Sequence, residues 1–404
     1  MGRIEPGRYD RVLCVVLAGG QGSRLGPLTE GRSKPSLRVG GHYRLIDVAL
    51  SNIANSALRD VFVVEQFEPH LLNDHLAGGR PWDLDRSRGG LRVLPPYESD
   101  RNDQDGFADG NAEALWRNSA VIDEVDPEAV IVVSADHLYR LDLRDVLDHH
   151  AEADVAATVV TAELDDGEDL TRFTVVDVDA GRVRDLDYKP DHPSGRVVAT
   201  EVFVYDWAAL RDRLNDLAGD DEPLGDYGER LLPSFVDDGG IAAFAQQGLW
   251  ADLGVPQTYL DAQLALLDGH PGFSFHDQRW PIHSADTDRR PARVHAPARI
   301  DSSWICAGAD VAGRVVRSII GPGAVVEAGA EVRDCVIMDD VVIGAGASVA
   351  ATVAAEAVEI EAGAQVGSPG HEGPVLIGAR ARIAGGETVS PGTEVAGAAA
   401  RSTR

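Results

Sequence analysis

VLCVVLAGGQGSRLGPLTEGRSKP, residues 12–35, is the stretch from which the fold of this chain follows. The run from Val12 to Ala18 is continuously apolar and rich in branched side chains, which is typical of a strand buried on both faces of a parallel α/β sheet. Three glycines come directly after it: Gly19, Gly20 and Gly22. Backbone N–H groups in such a turn can cradle phosphate oxygens, and Arg24 and Lys34 add positive charge. The stretch therefore predicts a buried strand that ends in an anion-binding turn.

The glycines alone also fit a plain turn followed by two solvated cations. Two familiar nucleotide motifs are excluded by spacing. Leu25 stands where the last glycine of a dinucleotide fingerprint would fall, and no Gly-Lys-Ser/Thr sequence ends a P-loop here.

The composition is that of a globular protein with a strong acidic excess. The chain has 404 residues, 44% of them hydrophobic, which is enough for two domains with sizeable cores. Its 66 acidic and 37 basic residues give a formal charge of −29, which argues against nonspecific binding to nucleic acid or to anionic membranes. An anionic substrate must therefore be held by locally placed Arg, Lys or metal.

Cysteine use and the N-terminal region favour the cytoplasm. Cys14, Cys306 and Cys335 are far apart and odd in number, so neither a disulfide framework nor a zinc C-x-x-C pattern is expected. The first apolar run stops at Gly19, which is too early for a signal peptide or a membrane span.

Further strands and helices are predicted along the first two thirds of the chain. A helix from about Asp47 followed by a strand at 61–64 begins a βαβ pattern, and residues 73–109 form a loop-like excursion with one apolar segment at 91–94. Strands are also predicted at 129–133, 153–161, 197–205 and 241–244, with a strand-turn-strand pattern over 173–188.

Two acidic residues follow predicted strands or turns. Asp136 stands at the carboxyl end of the strand at 129–133, where open α/β sheets bind ligands, and a carboxylate there is a natural magnesium ligand. Asp252 in Trp250-Ala251-Asp252 is a second candidate. Helix capping is the alternative role for both. Lys189, before Pro190, reads on its own as a solvated charge.

The C-terminal third has a different pattern. Aliphatic residues recur every six positions in an Ala- and Gly-rich background, in three runs: Ile320, Val326, Val332; Ile337, Ile343, Val349; and Ile377, Ile383, Val389, Val395. This period is the signature of a hexapeptide β-helix. Breaks in register at 333–336 and 369–374 predict loops or insertions. Hexapeptide helices also form acyltransferases, but His371 is isolated, and a packing and assembly role is preferred.

Taken in order, these motifs resemble the sugar-1-phosphate nucleotidylyltransferases. The resemblance is carried by LAGGQGSRLGPLT, SKP, YRLIDVALSN, LPP, SADHLYRLD and WADLG, and it covers nearly the full length. It implies an α/β fold: a Rossmann-like nucleotidyltransferase domain with a mostly parallel sheet at 1–267, a linker at 268–292, and a hexapeptide-repeat, left-handed β-helix at 293–404.

The resemblance also implies a reaction and a set of residues. A sugar 1-phosphate, with glucose 1-phosphate expected, would attack the α-phosphorus of ATP and expel pyrophosphate for glycogen or α-glucan synthesis. The implied residues fall into four groups: Arg24, Lys34 and Asp136 for catalysis; Leu17, Gly19, Gly20, Gly22, Gln66 and Gly110 for the nucleotide; Lys189, Tyr188 and Glu201 for the sugar phosphate; Asp136 and Asp252 for Mg²⁺. A homotetramer, with or without a paralogous subunit, is the implied assembly.

Several positions depart from the family's pattern, mostly on the sugar side. Tyr188 replaces a glutamate, Glu201 replaces a glycine, and Ala251 replaces an arginine. Gly31 replaces a lysine that the family uses in an anionic effector site. The alternatives to an active adenylyltransferase are therefore a changed sugar specificity or a catalytically silent regulatory subunit.

Overall fold

The computed structural model describes residues 9–20, 22–95, 108, 110–220, 222–269, 272–285, 288–370 and 373–399. His371 and most of the predicted excursion beyond residue 95 lie outside these ranges. The described residues form a sheet domain followed by a β-helix.

Nine strands of the described residues form the main sheet of the first domain. They are β1 Val12–Ala18, β4 Asp60–Glu65, β5 Gly90–Leu94, β6 Ala129–Ser134, β8 Ala157–Glu163, β9 Thr174–Asp179, β10 Arg182–Tyr188, β11 Val197–Asp206 and β12 Ile241–Ala245. Two short pairs lie beside it: β2 Arg38–Val39 with β3 Tyr43–Arg44, and β7 His137–Tyr139 with β13 Trp250–Asp252.

Helices cover both faces of this sheet. They are α1 Leu45–Asn55, α2 Pro69–Leu76, α3 Asn111–Arg117, α4 Ser119–Asp123, α5 Leu143–Ala153, α6 Trp207–Ala218, α7 Leu232–Asp237 and α8 Pro256–Asp268. Short 3-10 turns at Ser23–Leu28, Lys34–Ser36, Ala77–Trp82 and Leu170–Arg172, and a π turn at Tyr227–Leu231, complete the described regular structure. No helix among the described residues is long and apolar enough to cross a membrane.

The strand order, β5-β4-β1-β6-β11-β8-β12-β10-β9, divides the sheet into two halves. The first four strands pair in parallel. From β6 onward most pairs are antiparallel, and β12 with β8 is the parallel exception. The predicted parallel sheet is thus found in the half that carries the Gly-rich turn, and the second half makes the sheet mixed.

Most predicted elements are confirmed, and two need correction. β1 covers the predicted apolar run residue for residue, and all seven of its side chains are buried. The strand predicted from 153 starts only at Ala157, because α5 continues through Ala153 with Val146 and Leu147 on its buried face. The predicted excursion begins within α2, and its apolar segment is the edge strand β5.

Eighteen short strands of the described residues build the C-terminal domain. They form three parallel six-stranded sheets: β14 Arg293–Val294, β17 Asp310–Val311, β20 Val325–Val326, β23 Val342–Ile343, β26 Glu359–Ile360, β29 Arg382–Ile383; β15 Arg299–Asp301, β18 Arg314–Val316, β21 Glu331–Arg333, β24 Ser348–Ala350, β27 Gln365–Val366, β30 Thr388–Val389; and β16 Trp304–Ile305, β19 Ile319–Ile320, β22 Val336–Ile337, β25 Thr352–Ala354, β28 Val375–Ile377, β31 Glu394–Val395. Three such faces fit a left-handed β-helix.

The pairing register explains the breaks in the six-residue period. Glu331 pairs with both Arg314 and Ser348, so one coil takes 17 residues, which is two steps of six and one of five. Ala354 pairs with Ile377, 23 residues on, so this coil holds six additional residues and contains the predicted insertion at 369–374. The repeating aliphatic side chains point inward and form the core of the β-helix.

The two domains share apolar contacts and charged contacts. Six buried side chains of the β-helix belong to the same core as the first domain: Ile319, Val336, Met338, Val353, Ala355 and Leu376. Phe273 and Phe275, in the predicted linker, are also buried in that core. At the interface Arg32 pairs with Glu356 and Arg38 pairs with Asp339.

Candidate active site

The candidate site lies at the carboxyl ends of β1, β4 and β6. Parallel pairing puts Leu17 beside Ser134 and Ala18 beside Glu65. The residues that follow these strands, including the Gly-rich turn, Gln66 and Asp136, are therefore neighbours although they are far apart in sequence. This is the edge at which parallel α/β sheets generally bind ligands.

The Gly-rich turn is packed on one side and open on the other. A Cβ at Gly19 would come within 2.8 Å of the Gln66 Oε1 atom. Gly22 has φ +67°, and a Cβ there would lie 2.9 Å from Thr29 Cγ2 and 3.0 Å from Lys34 Cβ. A Cβ at Gly20 would have no described heavy atom within 4 Å. The turn can therefore approach a ligand from the Gly20 side.

Lys34 joins the two carboxylates that the sequence selects as metal ligands. Its Nζ atom donates to Asp136 Oδ2 at 2.8 Å and to Asp252 Oδ1 at 3.0 Å. The side chain is 5% exposed. Burial opposes the ammonium charge, but the two carboxylates prevail and raise the pKa of Lys34. The structure thus brings Lys34, Asp136 and Asp252 into one charged cluster.

Both carboxylates have further partners. Arg172 Nη1 donates to Asp252 Oδ2 at 2.8 Å, and the Ser134 hydroxyl donates to Asp136 Oδ1. Burial works against the charge of Asp252, while Lys34 and His137 lower its pKa below the ordinary value. The same holds for Asp136, where His137 and Lys34 outweigh burial. Both groups are therefore carboxylates at neutral pH.

Arg172 is a site residue that sequence reasoning missed. It lies in the 3-10 turn Leu170–Arg172, and no motif in the sequence marks that turn. Arg24, in contrast, was selected as catalytic, but its side chain is exposed and stays on the turn Ser23–Leu28. Hydrogen bonds from Thr171 lower the pKa of Asp169 in the neighbouring turn, and the charges of Arg172 and Arg24 lower it further.

The sugar-side candidates Tyr188 and Lys189 meet at Asp226. The Tyr188 hydroxyl donates to Asp226 Oδ2 at 2.5 Å, and Lys189 Nζ contacts the same hydroxyl and lies 3.4 Å from Asp226 Oδ2. The backbone N–H of Asn111 donates to Asp226 Oδ1 at 3.2 Å. Asp226, which sequence reasoning also missed, therefore connects the lysine to the segment that starts at Gly110.

Gly110 is required by packing and not by its dihedral angles. Its φ is 174°, which is ordinary extended backbone, but a Cβ would lie 2.2 Å from the carbonyl carbon of Gly225. The residue therefore holds the start of α3 against the loop before Asp226.

Glu201 lies close to Asp136 and His137. It has φ +59° within β11, at a point where the pairing with β8 is irregular. The Tyr227 hydroxyl donates to Glu201 Oε1 at 3.1 Å. Burial raises the pKa of Glu201, and the negative charges of Asp136 and Asp252 raise it further. The neighbouring His137 acts in the opposite direction. The replacement of glycine thus adds an acidic group next to the Asp136 cluster.

Comparisons with known proteins agree with this geometry. The sequence model of the family "Nucleotidyl transferase" matches residues 13–269, and that of "GlmU-like, C-terminal hexapeptide" matches residues 291–372. The chain is 34% identical to "Glucose-1-phosphate adenylyltransferase" of Thermosipho africanus over 323 residues, which is 80% of this chain and 78% of that protein. It is 36% identical to the protein of the same name from Lachnospira eligens over 320 residues, 78% of this chain and 74% of the relative.

Proposed function

This chain belongs to the nucleotidyl transferase family, and on that premise we propose that it joins ATP and glucose 1-phosphate to form ADP-glucose and pyrophosphate. The observation that supports the proposal most directly is the contact of Lys34 with Asp136 and Asp252 beside an open glycine turn. Relatives named for this activity are similar over most of the chain.

The nucleotide would lie along the Gly-rich turn. In this proposal Leu17, Gly19, Gly20 and Gly22 provide backbone contacts, and the open side of Gly20 lets the triphosphate approach. Gln66 and Gly110 border the base. Lys34 and Arg24 stabilise the negative charge of the leaving pyrophosphate, since positive groups in a water-poor site act most strongly where charge develops.

Transferases of this family generally use a divalent metal. We infer that Asp136 and Asp252 hold Mg²⁺ here, because the two carboxylates lie together on Lys34 and supply the hard oxygen ligands that this ion prefers. Bound Mg²⁺ would neutralise charge on the reacting phosphates. Lys34 would then remain available to a phosphate oxygen.

The sugar phosphate would lie on the side of Lys189. Lys189 Nζ is half exposed and can turn from Asp226 to a phosphate, while Tyr188 and Glu201 border the sugar. We propose that the phosphate oxygen of the sugar attacks the α-phosphorus of ATP directly, so the protein aligns two polyanions and supplies no covalent nucleophile. A homotetramer with domains at 1–267 and 293–404, joined at 268–292, completes the proposal.

The test is pyrophosphate release by the purified chain with ATP, Mg²⁺ and glucose 1-phosphate. Turnover is expected and should collapse in Asp136→Asn. Asp126→Asn is the matched control, since Asp126 is exposed at the opposite end of the sheet and has φ +51°, which asparagine tolerates.

A panel of sugar phosphates and nucleotides distinguishes the remaining alternatives. Glu201 favours a changed sugar specificity, because it brings negative charge into the space of a sugar phosphate. Turnover with another pair and none with ATP and glucose 1-phosphate would replace the proposed substrate. No turnover with any pair, together with retained ATP binding, would indicate a silent regulatory subunit.

A further inference from the structure

Three ligand-type side chains meet on the sugar side of Asp136. Asp136, His137 and Glu201 each present one carboxylate oxygen or ring nitrogen, and these atoms all lie within 4.8 Å of one another. Asp252 is not part of this group, and its two oxygens accept from Lys34 and Arg172. The cluster is therefore different from the Asp136–Asp252 pair that the sequence predicts.

His137 is the second observation that points to a cation. The residue is only 4% exposed, and its Nδ1 atom has no hydrogen-bond partner among the residues described. This atom lies 3.4 Å from Asp136 Oδ1, while Nε2 lies 3.8 Å from Asp252 Oδ1 on the other side of the ring. A buried imidazole with one unused nitrogen and a carboxylate near the other nitrogen resembles the usual setting of a metal-bound histidine.

Glu201 is held in the cluster despite an unfavourable backbone. A bulky residue at φ +59° is strained relative to a right-handed conformation. The hydrogen bond from Tyr227 fixes one carboxylate oxygen. The strained backbone thus places a carboxylate where the family's glycine would leave none.

We propose that Asp136, His137 and Glu201 form a second divalent-cation site, which shares Asp136 with the proposed Mg²⁺ pair. One imidazole nitrogen and two carboxylates favour a transition ion such as Mn²⁺ over Mg²⁺, which prefers oxygen ligands and water. The inference rests on the proposed function only where it refers to the neighbouring Mg²⁺ pair, Asp136 and Asp252. The cluster of Asp136, His137 and Glu201 itself is defined without substrate.

The experiment is a titration of the full-length chain with Mn²⁺ alone, without nucleotide or sugar, followed by electron paramagnetic resonance. A bound ion with nitrogen coupling in the echo-modulation spectrum is expected. Glu201→Gln should weaken Mn²⁺ binding by at least about 10- to 100-fold, because it removes a ligand and the loss of a mere supporting group already has that effect. His137→Gln should remove the nitrogen coupling. Asp126→Asn, at the opposite end of the sheet, should leave both the coupling and the affinity of this site in place.

Glu201→Gly serves as the second variant, because glycine adopts φ +59° without strain and the fold is then retained. It should lose the ion as Glu201→Gln does. Unchanged Mn²⁺ affinity in both Glu201 variants, or the absence of nitrogen coupling in the parent chain, overturns the proposal. The Mn²⁺ titration measures no turnover. Its result therefore stands even if the adenylyltransferase assay fails.

Discussion

The ammonium group of Lys34 lies 2.8 Å from Asp136 Oδ2 and simultaneously contacts Asp252. Lys34 therefore bridges the two carboxylates, and Arg172 pairs with Asp252 as a second cation. Lys34 is fixed from the backbone side as well, because its N–H donates to the carbonyl of Gly20 at 3.1 Å. The Gly-rich turn and the carboxylates of Asp136 and Asp252 are thus connected through one residue.

Replacing Lys34 with methionine tests this connection. The change leaves two carboxylates without their shared cation, so we expect stability to fall by about 3–5 kcal/mol, as for other broken buried ion pairs. Turnover should drop about 10²- to 10³-fold, the cost of losing one charge-stabilising donor. Added Mg²⁺ should raise the thermal unfolding temperature of the variant more than that of the parent.

Lys189→Met is the control for stability, because Lys189 is half exposed and its loss leaves the Asp136–Asp252 pair unchanged. Equal stabilisation of the parent and the Lys34 variant by Mg²⁺ would show that the ion does not bind at these carboxylates.

The ion pair of Arg32 with Glu356 connects the segment just before Lys34 to the β-helix. The Arg32 side chain is 9% exposed, and although burial opposes ionisation of Glu356, Arg32 lowers its pKa. Glu356→Gln leaves a buried guanidinium without its counterion, and we expect a loss of about 3 kcal/mol in the free energy of unfolding. Because Arg32 is two residues from Lys34, kcat should fall as well.

The matched control is Glu361→Gln, which removes an exposed ion pair with Arg382 on the same β-helix. Surface pairs contribute little to stability, so its urea midpoint should equal that of the parent. If both variants unfold alike, the Arg32–Glu356 contact does not stabilise the domain interface.

Glu65, at the end of β4, gives the site a pH-dependent stability. Burial raises its pKa to about 7, and the hydrogen bond from Asn73 only partly opposes this. The folded state therefore holds a proton that the unfolded chain releases near pH 4.5. Stability from this group is complete below that pH and is lost as the pH rises through about 7.

Glu65→Gln should make stability less dependent on pH between about pH 4.5 and pH 7. Thermal unfolding at intervals between pH 5 and pH 8 measures the effect, with the parent losing more stability than the variant over this range. Parallel profiles for the two proteins would mean that Glu65 is ionised in the fold.

The features most easily predicted from the sequence are those that depend only on the burial of a single strand or repeat. The apolar run of β1 and the six-residue period of the β-helix depend on local burial, and both appear in the structure as predicted. The place of Asp136 just after β6 was predictable for the same reason, because the end of a buried strand can be read from the sequence. Its role stays a prediction.

Contacts between distant segments could not be read in this way. Arg172 reaches Asp252 across 80 residues, and Arg32 reaches Glu356 across 324. Neither pair has a spacing rule, since the fold alone brings the partners together. Glu201 departs from the family's pattern in the sequence, but its closeness to His137 follows from the antiparallel pairing of β11 with β6, which sets Val202 opposite Val133.

Two glycines of the Gly-rich turn should differ in role. Gly20 should affect ligand binding, and Gly22 should affect the stability of the fold. A methyl group at Gly20 meets no described atom within 4 Å, so Gly20→Ala should unfold at the parent's temperature. The methyl would project into the space assigned to the triphosphate, and the KM for ATP should rise about tenfold, equivalent to roughly 1.4 kcal/mol. Gly22→Ala must adopt φ +67° and approach Thr29, so it should lose about 1–2 kcal/mol of stability. Thermal unfolding and ATP saturation curves for both variants measure these effects, and an unchanged KM in Gly20→Ala would place the triphosphate elsewhere.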